Sequence, residues 1–223
     1  MGNCLIKKHG FTKTKFGNIS VIKKVEASGG NSLSYTATSD CLAIFLSDTR
    51  ASGSLSTTGE VLYNGAVPSG YSGLCWIVRM KTGNSGSFTG NGQYKVCGII
   101  DIPDLSIEIL GVGFSGNSGS SSPNPRQVSW SIPSPCKAGE LYIAAGGYSW
   151  TSTGGNSLAL TQTNCFTSTI RNSNNWWGLN GIWTVVPNDS SSTATIRASS
   201  TLGNADYGAS NAAAYLFKVY KKS

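Results

Sequence analysis

The sequence predicts an all-β protein, and three observations carry that prediction. Its apolar runs are short, mostly four to eight residues, and hold β-branched and aromatic types. Gly, Asn, Ser or Pro lies close to their ends. No segment of helix length carries a 3.6-residue apolar period. The fold class is therefore two jelly-roll-like β-sandwiches with long Gly/Ser/Asn loops. A single sandwich of irregular strands is the competing arrangement.

Taken in order, residues 1–25 form a lysine-rich arm, with Ile19-Ser20-Val21-Ile22 as a first strand. Ser28 to Asn31 reads as a turn. Ser32 to Thr38 alternates at period two, with Leu33, Tyr35 and Ala37 on one face. Leu42 to Leu46 is a buried run, and Asp48 to Thr58 reads as a polar loop. Gly59 to Tyr63 begins a strand that Asn64-Gly65 turns as a hairpin. Leu74 to Met80 is a strand, Thr82 to Gly92 a loop, and Tyr94 to Asp101 closes this half. Proline in Ile102-Pro103-Asp104 cannot donate to a ladder and pushes its predecessor extended. It divides a first sandwich, residues 26–103, from a second, residues 104–223.

In the second half Leu105 to Phe114 is a strand and Ser115 to Pro125 a Gly/Ser/Asn loop. Gln127 to Ile132 alternates, with Val128, Trp130 and Ile132 on one side. Leu141 to Ala145 is an apolar run that Gly146 and Gly147 end. Ser157 to Thr161, Gly181 to Val186, Thr193 to Arg197 and Ala212 to Tyr220 complete the set. Both halves follow one order: an alternating strand, a polar break with a cysteine (Cys41; Cys136), then a buried run. A weak duplication follows from that order.

Two stretches carry a resemblance. Gly139-Glu140-Leu141-Tyr142-Ile143-Ala144-Ala145-Gly146-Gly147-Tyr148-Ser149-Trp150, with the terminal Ala212-Ala213-Ala214-Tyr215-Leu216-Phe217-Lys218-Val219-Tyr220, resembles the β-sandwich domains of tailed-phage virion proteins. Fibre and surface-decoration proteins are the relevant kind. Met1-Gly2-Asn3-Cys4-Leu5-Ile6-Lys7-Lys8 is similar to the start of small structural proteins from phages of gut bacteria. The resemblance implies a non-enzymatic tail-fibre, head-fibre or capsid-decoration protein. It also implies a homo-oligomer, a trimer, whose partners are capsid or tail proteins. A bacterial carbohydrate-binding module or adhesin is the alternative.

Composition bounds these expectations. Charged residues are 12% of the chain, while Gly numbers 28. Six Trp, nine Tyr and seven Phe argue for a packed core rather than disorder. The net charge is +7. Lys7, Lys8, Lys13, Lys15, Lys23 and Lys24 precede any acid, and the rest carries eleven basic against ten acidic residues. A nucleic-acid reader concentrates its basic residues on the folded body, so no specific nucleic-acid partner is expected. The arm instead predicts docking on an acidic surface, with Lys7, Lys8, Lys13 and Lys15 as virion-anchoring residues. A solvated terminus is the bland alternative. No apolar stretch has signal-peptide form and none is long enough to cross a bilayer, so no membrane insertion is expected.

The six cysteines include no CxxC pair, and the single histidine, His9, lies in the arm. Zinc spacing is absent, and neither metal nor cofactor is expected. Cys41, Cys75 and Cys97 lie in apolar runs as small buried hydrophobes. Assembly in a reducing host cytoplasm, followed by residence in the virion, predicts mostly free thiols. A nucleophile triad needs a base, and His9 is badly placed for one, so no catalytic residue is expected. Asp101, Asp104 and Glu108 flank the proline break and read as solvated. The candidate ligand site is the run Asn174, Asn175, Trp176, Trp177, extended by Tyr148 and Trp150. Aromatic faces stack on sugar rings and amides supply donor and acceptor together, so the expected ligand is a host-cell glycan. The same tryptophans also suit a core or a subunit interface.

Overall fold

The structure is a computed structural model that describes residues 16, 23–27, 32–50, 53–65, 72–90, 95–116, 126–132, 139–149, 157–162, 165–174, 178–187, 194–201 and 211–222. Every regular element among them is a β-strand, and every pairing is antiparallel.

The first eight strands are β1 (Lys23–Ala27), β2 (Leu33–Thr36), β3 (Cys41–Arg50), β4 (Ser54–Thr57), β5 (Glu60–Gly65), β6 (Ser72–Met80), β7 (Ser85–Thr89) and β8 (Lys95–Ile100). They make a five-stranded sheet, β1-β8-β3-β6-β5, and a three-stranded sheet, β2-β7-β4. The next eight are β9 (Leu105–Gly116), β10 (Arg126–Ile132), β11 (Leu141–Ser149), β12 (Ser157–Gln162), β13 (Cys165–Asn174), β14 (Gly178–Pro187), β15 (Ala194–Thr201) and β16 (Asn211–Lys221). They make a five-stranded sheet, β13-β14-β11-β16-β9, and a three-stranded sheet, β10-β15-β12. Renumbered from one, the second eight give 5-6-3-8-1 and 2-7-4. The first eight give 1-8-3-6-5 and 2-7-4, the same neighbours throughout.

The central strands explain the continuous apolar runs. Residues 41–47 of β3, 75–80 of β6 and all six residues of β8 are buried. Antiparallel sheets often leave one face to water and then alternate; here both faces are covered, so alternation disappears. One face carries Phe45 and Trp76, which are cross-strand partners. Trp76 meets Phe88 of β7 edge-on at 5.0 Å. The other face meets the second five-stranded sheet. Tyr63 of β5 packs edge-on against Phe217 at 4.9 Å and Tyr215 at 5.9 Å. One buried cluster holds Ile44 and Ile77 together with Ile143, Tyr215 and Phe217. Each such side chain contributes about 1.5–3 kcal/mol by leaving water. The second five-stranded sheet is in turn contacted by β10 and β15 through β16.

Lys95 and Ser47 are opposite each other in the ladder, and both are fully buried. The arm is anchored in part: Phe16 is buried in the same cluster, and its amide donates to the Gly139 carbonyl at 2.7 Å. Lys23 and Lys24 lie in β1, paired with Ile99 and Gly98. The strand expected at 19–22 falls outside the described residues.

Several expectations are corrected. Asp48–Thr58 is not one loop: β3 runs on to Arg50, and β4 occupies Ser54–Thr57. Thr82–Gly92 contains β7. Asn64-Gly65 does not turn a hairpin; Gly65 is buried and pairs with Cys75. A Cβ there would lie 2.5 Å from the Tyr63 ring, so glycine answers to packing at this position. Gly146 and Gly147 do not end β11, which pairs through both on each side.

Cys41, Cys75 and Cys97 are free thiols and buried. Burial pushes the Cys75 and Cys97 thiols up, so both stay protonated. In the folded protein these three cysteines are expected to resist iodoacetamide at mildly alkaline pH and to label on unfolding, read by peptide mass spectrometry. Gly86 lies under the Phe45 ring, where an added Cβ would approach Cζ to 2.7 Å. Gly86→Ala is expected to cost about 1–3 kcal/mol by overpacking. Combining it with Phe45→Leu should cost less than the two single changes summed, measured by urea unfolding.

Candidate functional site

The three-stranded sheet β2-β7-β4 has two unlike faces. Leu33, Tyr35, Gly86 and Phe88 are buried against the five-stranded sheet, with Leu55 half-buried beside them. The alternating positions on the solvent side are Ser34 and Thr36 in β2, Ser85, Ser87 and Thr89 in β7, and Ser54 and Ser56 in β4. Every one carries a hydroxyl. The register aligns them in rows: Ser34 with Ser87 and Ser56, Thr36 with Ser85, and Ser54 with Thr89. Ser34 Oγ donates to Ser87 Oγ at 3.0 Å, and Ser54 and Thr89 hydroxyls are 3.1 Å apart.

At one end the surface dips into a hollow of about 320 Å³, lined by hydroxyl residues of all three strands and by Thr57 and Thr58. Thr57 Oγ1 donates to the Ser85 carbonyl at 2.8 Å, and the Ser85 amide donates to Thr58 Oγ1 at 2.9 Å. These bonds fix the rim. The described lining holds no carboxylate, imidazole or thiol. It can donate and accept hydrogen bonds, but nothing in it activates a hydroxyl for attack. Tyr35 lies beneath, and burial first, then Cys41, pushes its phenol up.

The corresponding sheet of the second eight strands repeats the pattern at the level of register. Val128, Trp130, Ile196, Leu158 and Leu160 fall in one set of alternating rows. The other set holds Ser129 and Ser131 in β10, Thr195 and Ser199 in β15, and Ser157 and Thr161 in β12. Gln127, Arg197 and Ala159 share that second set.

A second constellation lies where the chain passes from one five-stranded sheet to the other. Asp104 follows Pro103 with φ of 57°, a left-handed conformation that Asp tolerates better than most residues. Lys81 Nζ donates to Asp40 at 3.0 Å and to Asp104 at 3.2 Å. The Thr82 amide donates to Asp40 at 2.9 Å, and Ser39 Oγ donates to Asp101. Arg79, 8% exposed, donates through Nε to the Leu105 carbonyl at 2.7 Å and pairs with Glu60. Asp101 and Asp104 are thus exposed but held by partners across the passage. Among the described residues, no group of three or more His, Cys, Asp or Glu comes together to hold a metal ion.

Of the sequence-derived site, Asn174 ends β13 paired with Gly178, and Tyr148 in β11 pairs with Leu179 and Ala212. They fall in adjacent rows at one end of the same sheet, separated by β14. Asn175, Trp176, Trp177 and Trp150 lie outside the described residues, as do Lys7, Lys8, Lys13 and Lys15. Apolar runs do not mark the hydroxyl face. Its signal is Ser-x-Thr, Ser-x-Ser and Ser-x-Ser-x-Thr at period two around Leu55 and Phe88.

Asp40 is held below its ordinary 3.8, by the Thr82 amide first and the Lys81 ammonium second. Lys81 is held above 10.5 by Asp40 and then Asp104. A lowered carboxylate stabilises the fold above its unfolded pKa, and that stabilisation is lost as pH falls through the lowered value. Asp40→Asn is therefore expected to lower the urea midpoint at neutral pH, and wild type and variant should converge well below pH 3.8. No protein-family model matches the chain, and no curated protein matches it.

Proposed function

We propose that this chain is a non-enzymatic structural protein of a virion surface, of the tail-fibre, head-fibre or capsid-decoration kind found in tailed phages. In this reading it is two jelly-roll-like β-sandwiches in tandem, anchored to the particle by its N-terminal lysines and assembled in the host cytoplasm.

The observation that carries the reading is the repeated strand order. In each set of eight, first pairs with eighth, third with sixth and second with seventh. That nested pairing resembles the path of a jelly roll, an architecture common in capsid domains, except that the fifth strand joins the sixth rather than the fourth. Fusing two such units through an apolar contact that includes Tyr63, Tyr215 and Phe217 gives a stiff element suited to holding a surface at a distance. The hydroxyl face on β2-β7-β4 is uncharged and solvent-facing, which suits display.

The test removes only what the fold does not use. Phe16 is in the buried cluster and β1 begins at Lys23, so the deletion stops at residue 15. The shortened chain is expected to melt within a few degrees of the full chain, yet to be lost from purified particles in a co-expression assembly assay. Normal incorporation would overturn the anchoring role.

A further inference from the structure

The hydroxyl face of β2-β7-β4 is more uniform than solvation requires. A solvated sheet face tolerates Lys, Glu, Arg and Gln, yet all seven positions here carry Ser or Thr. In the topologically matching sheet of the second eight strands hydroxyl residues share the corresponding rows with Gln127, Arg197 and Ala159, so the uniformity belongs to β2-β7-β4.

We infer that the hollow beside Ser34, Ser56 and Ser87 binds an uncharged, polyhydroxylated ligand, a neutral glycan segment of one or two sugar rings. Sugar hydroxyls both donate and accept, and so does every side-chain hydroxyl on this face. The lining offers a carboxylate or phosphate no cationic partner. At about 320 Å³ the hollow lies at the small end of ligand sites. Ser and Thr side chains are short, and the Ser34–Ser87 bond already orders two of them, so little rotamer freedom is lost on binding. Hydrogen bonds that remain open to water each add little, so one site binds weakly and many displayed copies bind well. The inference rests on the display reading only for where the ligand is met, since the isolated chain suffices to test it.

The test is an amide NMR titration of the full chain with a panel of neutral hexose and N-acetylhexosamine trisaccharides, and sialyllactose as an anionic control. At least one neutral member is expected to shift amides of β2, β4 and β7, with sialyllactose weaker. Ser87→Val should weaken that response at least tenfold while leaving the melting temperature unchanged, and Ser87→Thr should retain it. The inference is overturned if no neutral member shifts these amides, if Ser87→Val responds like wild type, or if the shifts centre on the Asn174–Gly178 turn instead. Particle incorporation of Ser87→Val stays normal if anchoring resides in the N-terminal segment, which separates failure of this site from failure of the virion reading.

Discussion

Covering both faces of the β3-β6-β8 core is the constraint on which the remaining structure depends. Three adjacent antiparallel strands with no solvated side are built mainly from apolar residues, among them Leu42, Ala43, Ile44, Phe45, Ile77, Val78 and Cys97, with Arg79 and Lys95 as the buried charged residues described in them. Two covers are then required. One is the small sheet β2-β7-β4, whose Phe88 meets Trp76; the other is the second five-stranded sheet, whose Tyr215 and Phe217 meet Tyr63. Glycine at position 86 is part of the first cover, because the Phe45 ring occupies the space a side chain would take.

The passage between the two sets of eight strands is where polar interactions concentrate. Arg79 is nearly buried and donates to the Leu105 carbonyl where the second set opens. Its pair with Glu60 is half in water and adds less than the carbonyl bond does. Lys81 is exposed, so its two carboxylate contacts orient the turn more than they stabilise it. Polar groups here fix direction, while apolar area supplies the free energy.

Much of the fold was legible. Period-two alternation at Leu33, Tyr35 and Ala37, and unbroken runs at Leu42–Leu46 and Leu74–Met80, located strands correctly, and residues 42–46 and 75–80 are buried. What stayed illegible has a common cause. β4 and β7 each have one face against the core and one in water, and their water face is all hydroxyl, so only Leu55 and Phe88 stand out. Asn64-Gly65 and Gly146-Gly147 look like chain reversals because glycine is usually placed for its backbone freedom. In this structure Gly65 answers to a neighbouring ring, and the pair at 146–147 lies inside a ladder. Which sheet covers which is a long-range matter that local patterns do not encode. Of the surface site read at Asn174, Asn175, Trp176, Trp177, Tyr148 and Trp150, only Asn174 and Tyr148 are among the described residues, whereas the hydroxyl face needed the register before its rows became visible.

The bond from the Phe16 amide to the Gly139 carbonyl ties the chain ahead of β1 to the second set of strands. Gly139 lies two residues before the second set's β11, whereas β1, seven residues after Phe16, belongs to the first set. The chain at Phe16 therefore holds to the second set by one backbone bond and the shared buried cluster before it joins the first set as an edge strand, so the two sets are stitched together by a single short stretch of backbone.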